Sequence, residues 1–296
     1  MERFTVRENG FAGLLYPGER GTDTIVIFTG GAACTEKVSV KASTFLREAG
    51  FTVFVLGFYL WKDTPKDLVQ IPVDYVEKAV AYLKDRFHPE KIYMTGASTG
   101  AGYTLLSASL VSDLDGVAAI VPFDYVMEAS SFTKRYGKSV YSYHGEDVPY
   151  SSNRIVDDGL IAVFRKCRKA GYPLRRIMRF GYDQAELTEE GRIKTENING
   201  DILLIGAKND DCWPSDIAVP RIEQNLKDHD FKHYVRALVY DPASHALGGD
   251  YEKTGFMINF LMKLMMKIER TDPEGCNQAR RNCEAEMIRF FEGGRI

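Results

Sequence analysis

Thr95-Gly96-Ala97-Ser98-Thr99-Gly100-Ala101-Gly102 follows directly on the short apolar run Lys91-Ile92-Tyr93-Met94. The octapeptide holds a G-x-S-x-G pentapeptide, Gly96 to Gly100, at the end of a run that reads as a strand. On a sharp strand-to-helix turn, a nucleophile elbow, the serine hydroxyl is exposed and neighbouring amides can face an oxyanion. Small residues flank Ser98 because such a turn is tight and the helix after it packs close to the strand. The pentapeptide alone is common enough to arise by chance, so the rest of the chain decides its meaning.

The same residues also spell T-G-x-x-x-G-x-G, the glycine-rich turn on which short-chain dehydrogenases seat a dinucleotide pyrophosphate at a helix N-terminus. That turn follows the first strand of its domain, whereas at least four strand-like runs precede Thr95. That chemistry also needs a downstream Tyr-x-x-x-Lys, and no Tyr after position 95 has Lys four residues later. The dinucleotide reading is therefore set aside, and no cofactor is expected.

The 296 residues suffice for one large α/β domain or two small ones. Hydrophobic content of 45% with 27% charged residues is ordinary globular composition. A formal charge of −3 gives no field that would recruit nucleic acid or an anionic membrane. The opening residues MERFTVRENG lack the apolar stretch of a secretory signal, and no run is long enough to span a bilayer. Five scattered cysteines, Cys34, Cys167, Cys212, Cys276 and Cys283, fit reduced thiols in a cytoplasm. None has metal-ligand spacing to another Cys or His, so no metal site is expected.

Strand-like runs recur at Arg3–Arg7, Phe11–Tyr16, Thr24–Phe28, Thr52–Leu56, Lys91–Met94, Val117–Val121, Ile202–Ile205 and Tyr234–Val239. Several are continuously apolar, as strands buried on both faces of a parallel sheet must be. Helical patterns lie between them: Val73, Val76, Val80, Leu83 and Phe87 share one face, and further helices are expected from Gly100 to about Ser112 and over 216–228. A leading antiparallel hairpin followed by β-α alternation predicts a doubly wound sheet. Eight strands with the serine turn after the fifth is the plan of an α/β-hydrolase fold, a mostly parallel sheet with helices on both faces. Residues 124–199 break the rhythm; they are rich in Tyr, Arg and Gly, with one helix expected at about 155–170. Long insertions of this kind are usually functional or disordered. The reading is a single domain over residues 1–296 with an inserted cap over about 124–199.

A serine hydroxyl needs a base, and the base needs an orienting carboxylate, in the chain order Ser, acid, His for this fold. Of five histidines, His88 lies in a helix-strand link, His144 in the insertion, and His229 and His233 in the polar segment D-H-D-F-K-H. His245 alone follows the last strand, in D-P-A-S-H-A-L-G-G, where small neighbours let an imidazole project. The acid should leave the seventh strand, which runs into Asn209-Asp210-Asp211-Cys212-Trp213-Pro214. Asp210 is preferred to Asp211, which would face solvent or cap the next helix from outside. Asp216 is the ordinary N-cap choice for that helix. Oxyanion donors are expected from the Thr99 amide and from Gly31 or Ala32 in the turn after the third strand.

These residues, taken with others, resemble the C-terminal catalytic domain of acyl-CoA thioesterases, shared by bile-acid-CoA:amino-acid N-acyltransferases. The resemblance rests on Thr64-Pro65-Lys66 through I-P-V-D-Y-V-E-K-A-V-A-Y-L, Y-H-G-E-D-V-P-Y at 143–150, the stretch 198–215 and A-S-H at 243–245. The tail E-G-C-N-Q-A-R-R-N-C-E-A-E-M-I-R-F-F-E is similar to the closing helix of those domains. The likeness spans roughly residues 20–292 and implies a Ser/Asp/His or Cys/Asp/His triad acting on an acyl thioester. Anchored on Trp213 and Pro214, it places the acid at Asp210. Three departures stand out. There is no room for the N-terminal β-sandwich of that family, Thr99 replaces a commonly basic residue, and an apolar, Met-rich stretch at 251–270 replaces a Pro-rich loop. Phe256, Phe260, Leu264 and Ile268 of that stretch would form one stripe on a helix, suited to core packing, an acyl pocket or a contact between copies in a homo-oligomer.

The expected activity is hydrolysis of an acyl thioester or small carboxylic ester, with a small-molecule substrate and neither nucleic acid nor membrane as partner. N-acyl transfer to an amine ranks second, because the resemblance gives such transferases a Cys nucleophile where this chain has Ser98. A peptidase and a non-catalytic binding protein on the same fold are the remaining readings.

Overall fold

A computed structural model describes residues 1–32, 34–130, 135–152, 159–248, 260 and 263–294. The eight apolar runs form one sheet: β1 (Glu2–Phe4), β2 (Ala12–Tyr16), β3 (Thr24–Thr29), β4 (Thr52–Gly57), β5 (Lys91–Ala97), β6 (Gly116–Ile120), β7 (Asp201–Ala207) and β8 (Val235–Tyr240). Their spatial order is β1-β2-β4-β3-β5-β6-β7-β8. β2 pairs antiparallel with β1 and β4, and every other neighbouring pair is parallel. This is the α/β-hydrolase arrangement. Lys91–Ala97 and Asp201–Ala207 run three residues longer than predicted, other ends shift by a residue, and β1 is displaced and shortened from the predicted Arg3–Arg7 to Glu2–Phe4. The alternation of polar and apolar residues continues to Arg7, but the Thr5 side chain accepts from the Glu8 amide and turns Val6–Asn9 into a short helix, closed by Gly10 at φ 77°.

Successive side chains on a strand point to opposite faces, and both faces are covered. Ile25, Ile27, Ile92, Met94, Ile202 and Leu204 meet Val76, Val80 and Leu83 of the helix Asp74–Phe87, Leu106 of the helix Thr99–Leu110 and Ile222 of the helix Ser215–Asp228. Val26, Phe28, Val53, Val55, Leu203 and Ile205 meet Phe45, Leu46 and Cys283, Met287 and Phe291 of the closing helix Pro273–Phe291. Two buried faces explain why the central strands read as continuous apolar runs.

The long connection between β6 and β7 carries the segment predicted as an insertion. The helix expected near 155–170 runs over Gly159–Lys169; residues 153–158 lie outside the described chain. Short elements that the hydrophobic pattern does not announce accompany it. The helix Ile177–Asp183 is one, and the strand Tyr141–Tyr143, parallel to Ile71–Pro72, is another. Of the Met-rich stripe, Phe256 lies outside the described residues, while Phe260 and Leu264 are 59% and 66% exposed. Met266 is extended (φ −117°, ψ 118°) and a separate helix, Lys267–Thr271, begins after it. The stretch to 270 is therefore not one continuous helix, and Phe260 and Leu264 are not core. Among the described residues, no helix is long and apolar enough to cross a membrane.

Candidate active site

Ser98 sits at φ 58°, ψ −125°, between β5 and the helix Thr99–Leu110. A non-glycine residue at positive φ is held there only when its surroundings over-determine it, and here two glycines do so. A Cβ on Gly96 would lie 2.3 Å from Thr29 Oγ1, and one on Gly100 would lie 2.2 Å from the Gly30 carbonyl oxygen. The pentapeptide thus needs both glycines because the helix start presses against the end of β3. The Ser98 amide donates to the Ile120 carbonyl at 2.9 Å, fixing the turn to β6.

His245 Nε2 lies 2.8 Å from Ser98 Oγ, and His245 Nδ1 lies 2.9 Å from Asp210 Oδ2. Residues 98, 210 and 245, far apart in the chain, converge because β5, β7 and β8 all end at the same edge of the sheet. Asp210 is fully buried, yet its carboxylate is saturated with donors. Oδ1 accepts the amides of Cys212 (2.9 Å) and Trp213 (3.1 Å), and Oδ2 accepts the Ser215 hydroxyl (2.6 Å) as well as the imidazole. Burial alone would raise its pKa. The adjacent imidazole, the Ser215 hydroxyl and the Cys212 amide outweigh that and hold it below the usual carboxylate range. A carboxylate on Nδ1 favours the tautomer with hydrogen on Nδ1, leaving the Nε2 lone pair toward the Ser98 hydroxyl.

The imidazole is braced on its other sides. The Trp213 ring meets it edge to face at 5.2 Å, and Trp213 Nε1 donates to the Val121 carbonyl at 2.9 Å. The loop carrying His245 is tied to the acid loop through the Asn209 amide to the Ala243 carbonyl, 3.0 Å. From the closing helix, Arg280 Nη1 donates to the Ala246 carbonyl at 3.1 Å and pairs with Glu269, which also accepts the Ser244 hydroxyl.

Of the residues predicted as oxyanion donors, Thr99 follows Ser98 directly and Gly31 lies near it. Thr99 opens the helix after the serine, where amides have no intrahelical partner. A Cβ built on Gly31 would lie 3.4 Å from Ser98 Cβ and 3.9 Å from its Oγ, so a side chain there would crowd the serine. Among the described residues the Gly31 and Ala32 amides have no hydrogen-bond acceptor.

Two acidic residues, Asp211 and Asp216, depart from expectation. Asp211 does not face solvent: it sits 3.3 Å from Arg175 Nε and 3.1 Å from Arg176 Nε of the insertion. Asp216 does not cap its helix, which begins at Ser215; it accepts Arg179 Nη1 at 2.8 Å. His229, His233 and His144 are exposed, and His88 closes a helix at φ 48°. Folding also creates clusters that spacing conceals. Asp210, Cys212 and His245, and separately Asp74, Glu77 and His144, bring ligand atoms within 4.8 Å of one another. In the first set Asp210 and His245 are already engaged in the hydrogen bonds above, and the second lies at the surface.

Beside Thr99 lies a cavity of about 70 Å³, bounded by Leu68, Gly102, Phe123, Tyr125, Met127, Val140, Tyr141, Tyr182 and Trp213. Phe123 stacks on Trp213 at 6.2 Å, and Tyr182 meets both rings edge-on at 5.0 and 5.4 Å. Sequence reasoning missed this wall because its rings come from four separated segments, at 123–125, 141, 182 and 213.

Residues 71–258 match the family model described as BAAT / acyl-CoA thioester hydrolase C terminal. The chain belongs to this family. It is 26% identical over 206 residues to the peroxisomal succinyl-coenzyme A thioesterase of Mus musculus, covering 68% of this chain and 44% of that protein. It is 26% identical over 263 residues to the mitochondrial acyl-coenzyme A thioesterase 2 of Mus musculus, covering 85% and 51%. An acyl-coenzyme A amino acid N-acyltransferase 2 of Rattus norvegicus is 24% identical over 265 residues, covering 85% and 56%. The chain spans about half the length of these relatives. Among solved structures, a puromycin-hydrolyzing peptidase of Mycobacterium tuberculosis superposes with TM-score 0.56 at 13% identity, covering 96% of this chain and 38% of that one. The acylaminoacyl peptidase of Pyrococcus horikoshii gives 0.53 at 12%, covering 95% and 39%. At such identities the likeness speaks to the fold alone.

Proposed function

We propose that the protein is a serine hydrolase that cleaves acyl thioesters, acyl-CoA foremost, or small carboxylic esters. The observation that carries this reading is the unbroken chain from Ser98 Oγ to His245 Nε2 at 2.8 Å and from His245 Nδ1 to buried Asp210 at 2.9 Å. Ser98 attacks the carbonyl carbon as its proton passes to Nε2. The imidazolium that forms is stabilised by Asp210, and the oxyanion is held by the Thr99 amide and that of Gly31 or Ala32. Loss of one such donor typically costs about 2.7–4 kcal/mol of transition-state stabilisation. Collapse of the intermediate breaks the carbon–sulfur or carbon–oxygen bond, with His245 returning its proton to the leaving group. Water, deprotonated by the same imidazole, then releases the acid from Ser98.

In this reading residues 124–199 form a cap, and the acyl group enters the aromatic cavity beside Thr99. At about 70 Å³ the cavity is roughly half the 150 Å³ that accommodates a benzene ring, which favours a short acyl group over a long chain. A cytoplasmic location and association of copies through the exposed Phe260 and Leu264 belong to the proposal as well. The test of the chemistry is fluorophosphonate labelling: wild type should be modified at Ser98 and lose activity in step, and absence of labelling would contradict the reading. N-acyl transfer is a second reading, favoured by the likeness to the rat N-acyltransferase. Added glycine or taurine would then divert product from free acid to amide.

A further inference from the structure

The insertion reaches the acid loop through one buried arginine. Arg179, on the helix Ile177–Asp183, is 5% exposed. Its Nη1 donates to the main-chain carbonyls of Asp210 and Trp213, both at 3.2 Å, and to Asp216 Oδ1 at 2.8 Å. Its Nε bonds Asp183 at 3.0 Å, and Tyr172 fixes that carboxylate from the other side at 2.9 Å. Two carboxylates compensate one buried cation, so its charge satisfies the fold without reference to the acid loop. The two carbonyl contacts are what remains to explain, and they fall on Asp210 and on Trp213, which braces His245. Arg175 and Arg176 flank the same loop through Asp211.

We infer that Arg179 is a positioning residue through which the seating of the inserted segment sets the geometry of Asp210 and Trp213. The inference rests on the reading of Asp210 as the catalytic acid. Asp210 takes the Cys212 and Trp213 amides within its own turn, so the shape of that turn sets the direction of Oδ2 toward His245. Arg179 grips the turn from its outer side. Without Arg179 the two carbonyls lose their donor and the turn loses its outer support. The fork of the guanidinium is needed, because an ammonium cannot reach two carbonyls and two carboxylates at once.

The experiment compares Arg179→Ala, Arg179→Lys and Asp216→Asn with wild type on a p-nitrophenyl ester, each normalised by fluorophosphonate titration of active sites. Misplacement of a catalytic group by about 1 Å costs on the order of a hundredfold. The expected result is kcat per titrated site lowered about tenfold to a hundredfold in Arg179→Ala, with KM changed less than about threefold. Arg179→Lys should recover part of the loss, and Asp216→Asn should show a smaller loss of the same kind. Unchanged kcat per titrated site in Arg179→Ala overturns the inference. If that variant does not fold, unchanged kcat in both Arg179→Lys and Asp216→Asn overturns it. Asp210→Asn, run alongside, separates the two levels. Full activity there defeats the underlying assignment, whereas loss there with full activity in Arg179→Ala defeats only the role of Arg179.

Discussion

Replacing Asp210 by Asn changes almost no volume but forces a choice that the structure makes costly. The carboxylate accepts four donors: two amides on Oδ1, a hydroxyl and the imidazole on Oδ2. An asparagine has one acceptor oxygen. If that oxygen stays with the Cys212 and Trp213 amides, its NH2 faces Ser215 Oγ and His245 Nδ1. The Ser215 hydroxyl can turn and accept, but Nδ1 must then become an acceptor, which moves its hydrogen to Nε2. Nε2 can no longer take the Ser98 proton. A wrong tautomer in this arrangement lowers kcat by about 10³–10⁴, or about 4–5.5 kcal/mol at 1.36 kcal/mol per decade. The assay is steady-state hydrolysis of a p-nitrophenyl ester near neutral pH, with thermal unfolding as the control for folding. A loss smaller than about tenfold in a folded variant would refute the reasoning.

Four further outcomes are expected. Gly100→Ala should fall at or beyond the upper end of the roughly 1–3 kcal/mol typical of overpacking, because its Cβ would lie 2.2 Å from a backbone oxygen; thermal unfolding and ester turnover should both report it. Trp213→Phe removes the bond to the Val121 carbonyl and should lower stability by about 1–3 kcal/mol, read by urea unfolding. Gly102→Val, at the cavity wall, should narrow the acyl range, with kcat/KM for longer acyl groups falling more than for acetyl. Glu196 supplies the pH test. Burial opposes its ionisation, but Arg192, Asn225 and a backbone bond prevail and pull its pKa down to about 2. A depressed carboxyl stabilises the fold above its ordinary value of 4.5 and loses that contribution as pH falls toward about 2. Arg192→Ala should therefore destabilise clearly at pH 7 and progressively less below pH 4.5, measured by denaturant unfolding across that window.

The sheet was legible because its strands are buried on both faces, so the chain announces them as apolar runs. The serine turn was legible because both glycines answer a steric demand at Thr29 and Gly30. Chain order and small neighbours single out His245, and the choice between Asp210 and Asp211 leaned on Trp213. The rest was hidden because its partners are distant. Arg179 meets the acid loop across more than thirty positions, and nothing in the local pattern separates it from Arg175 or Arg176. The Asp216 cap failed because a buried arginine competed for the carboxylate. The short strand Tyr141–Tyr143 carries no periodicity of its own and exists through its pairing with Ile71–Pro72.

The central claim is tested most directly by hydrolysis of matched acyl-CoA and p-nitrophenyl ester panels by wild type and Ser98→Ala. The account predicts release of free CoA by wild type, with higher kcat/KM for short acyl groups than for long ones, and turnover abolished in a folded Ser98→Ala protein. Turnover that survives the loss of Ser98 would contradict it.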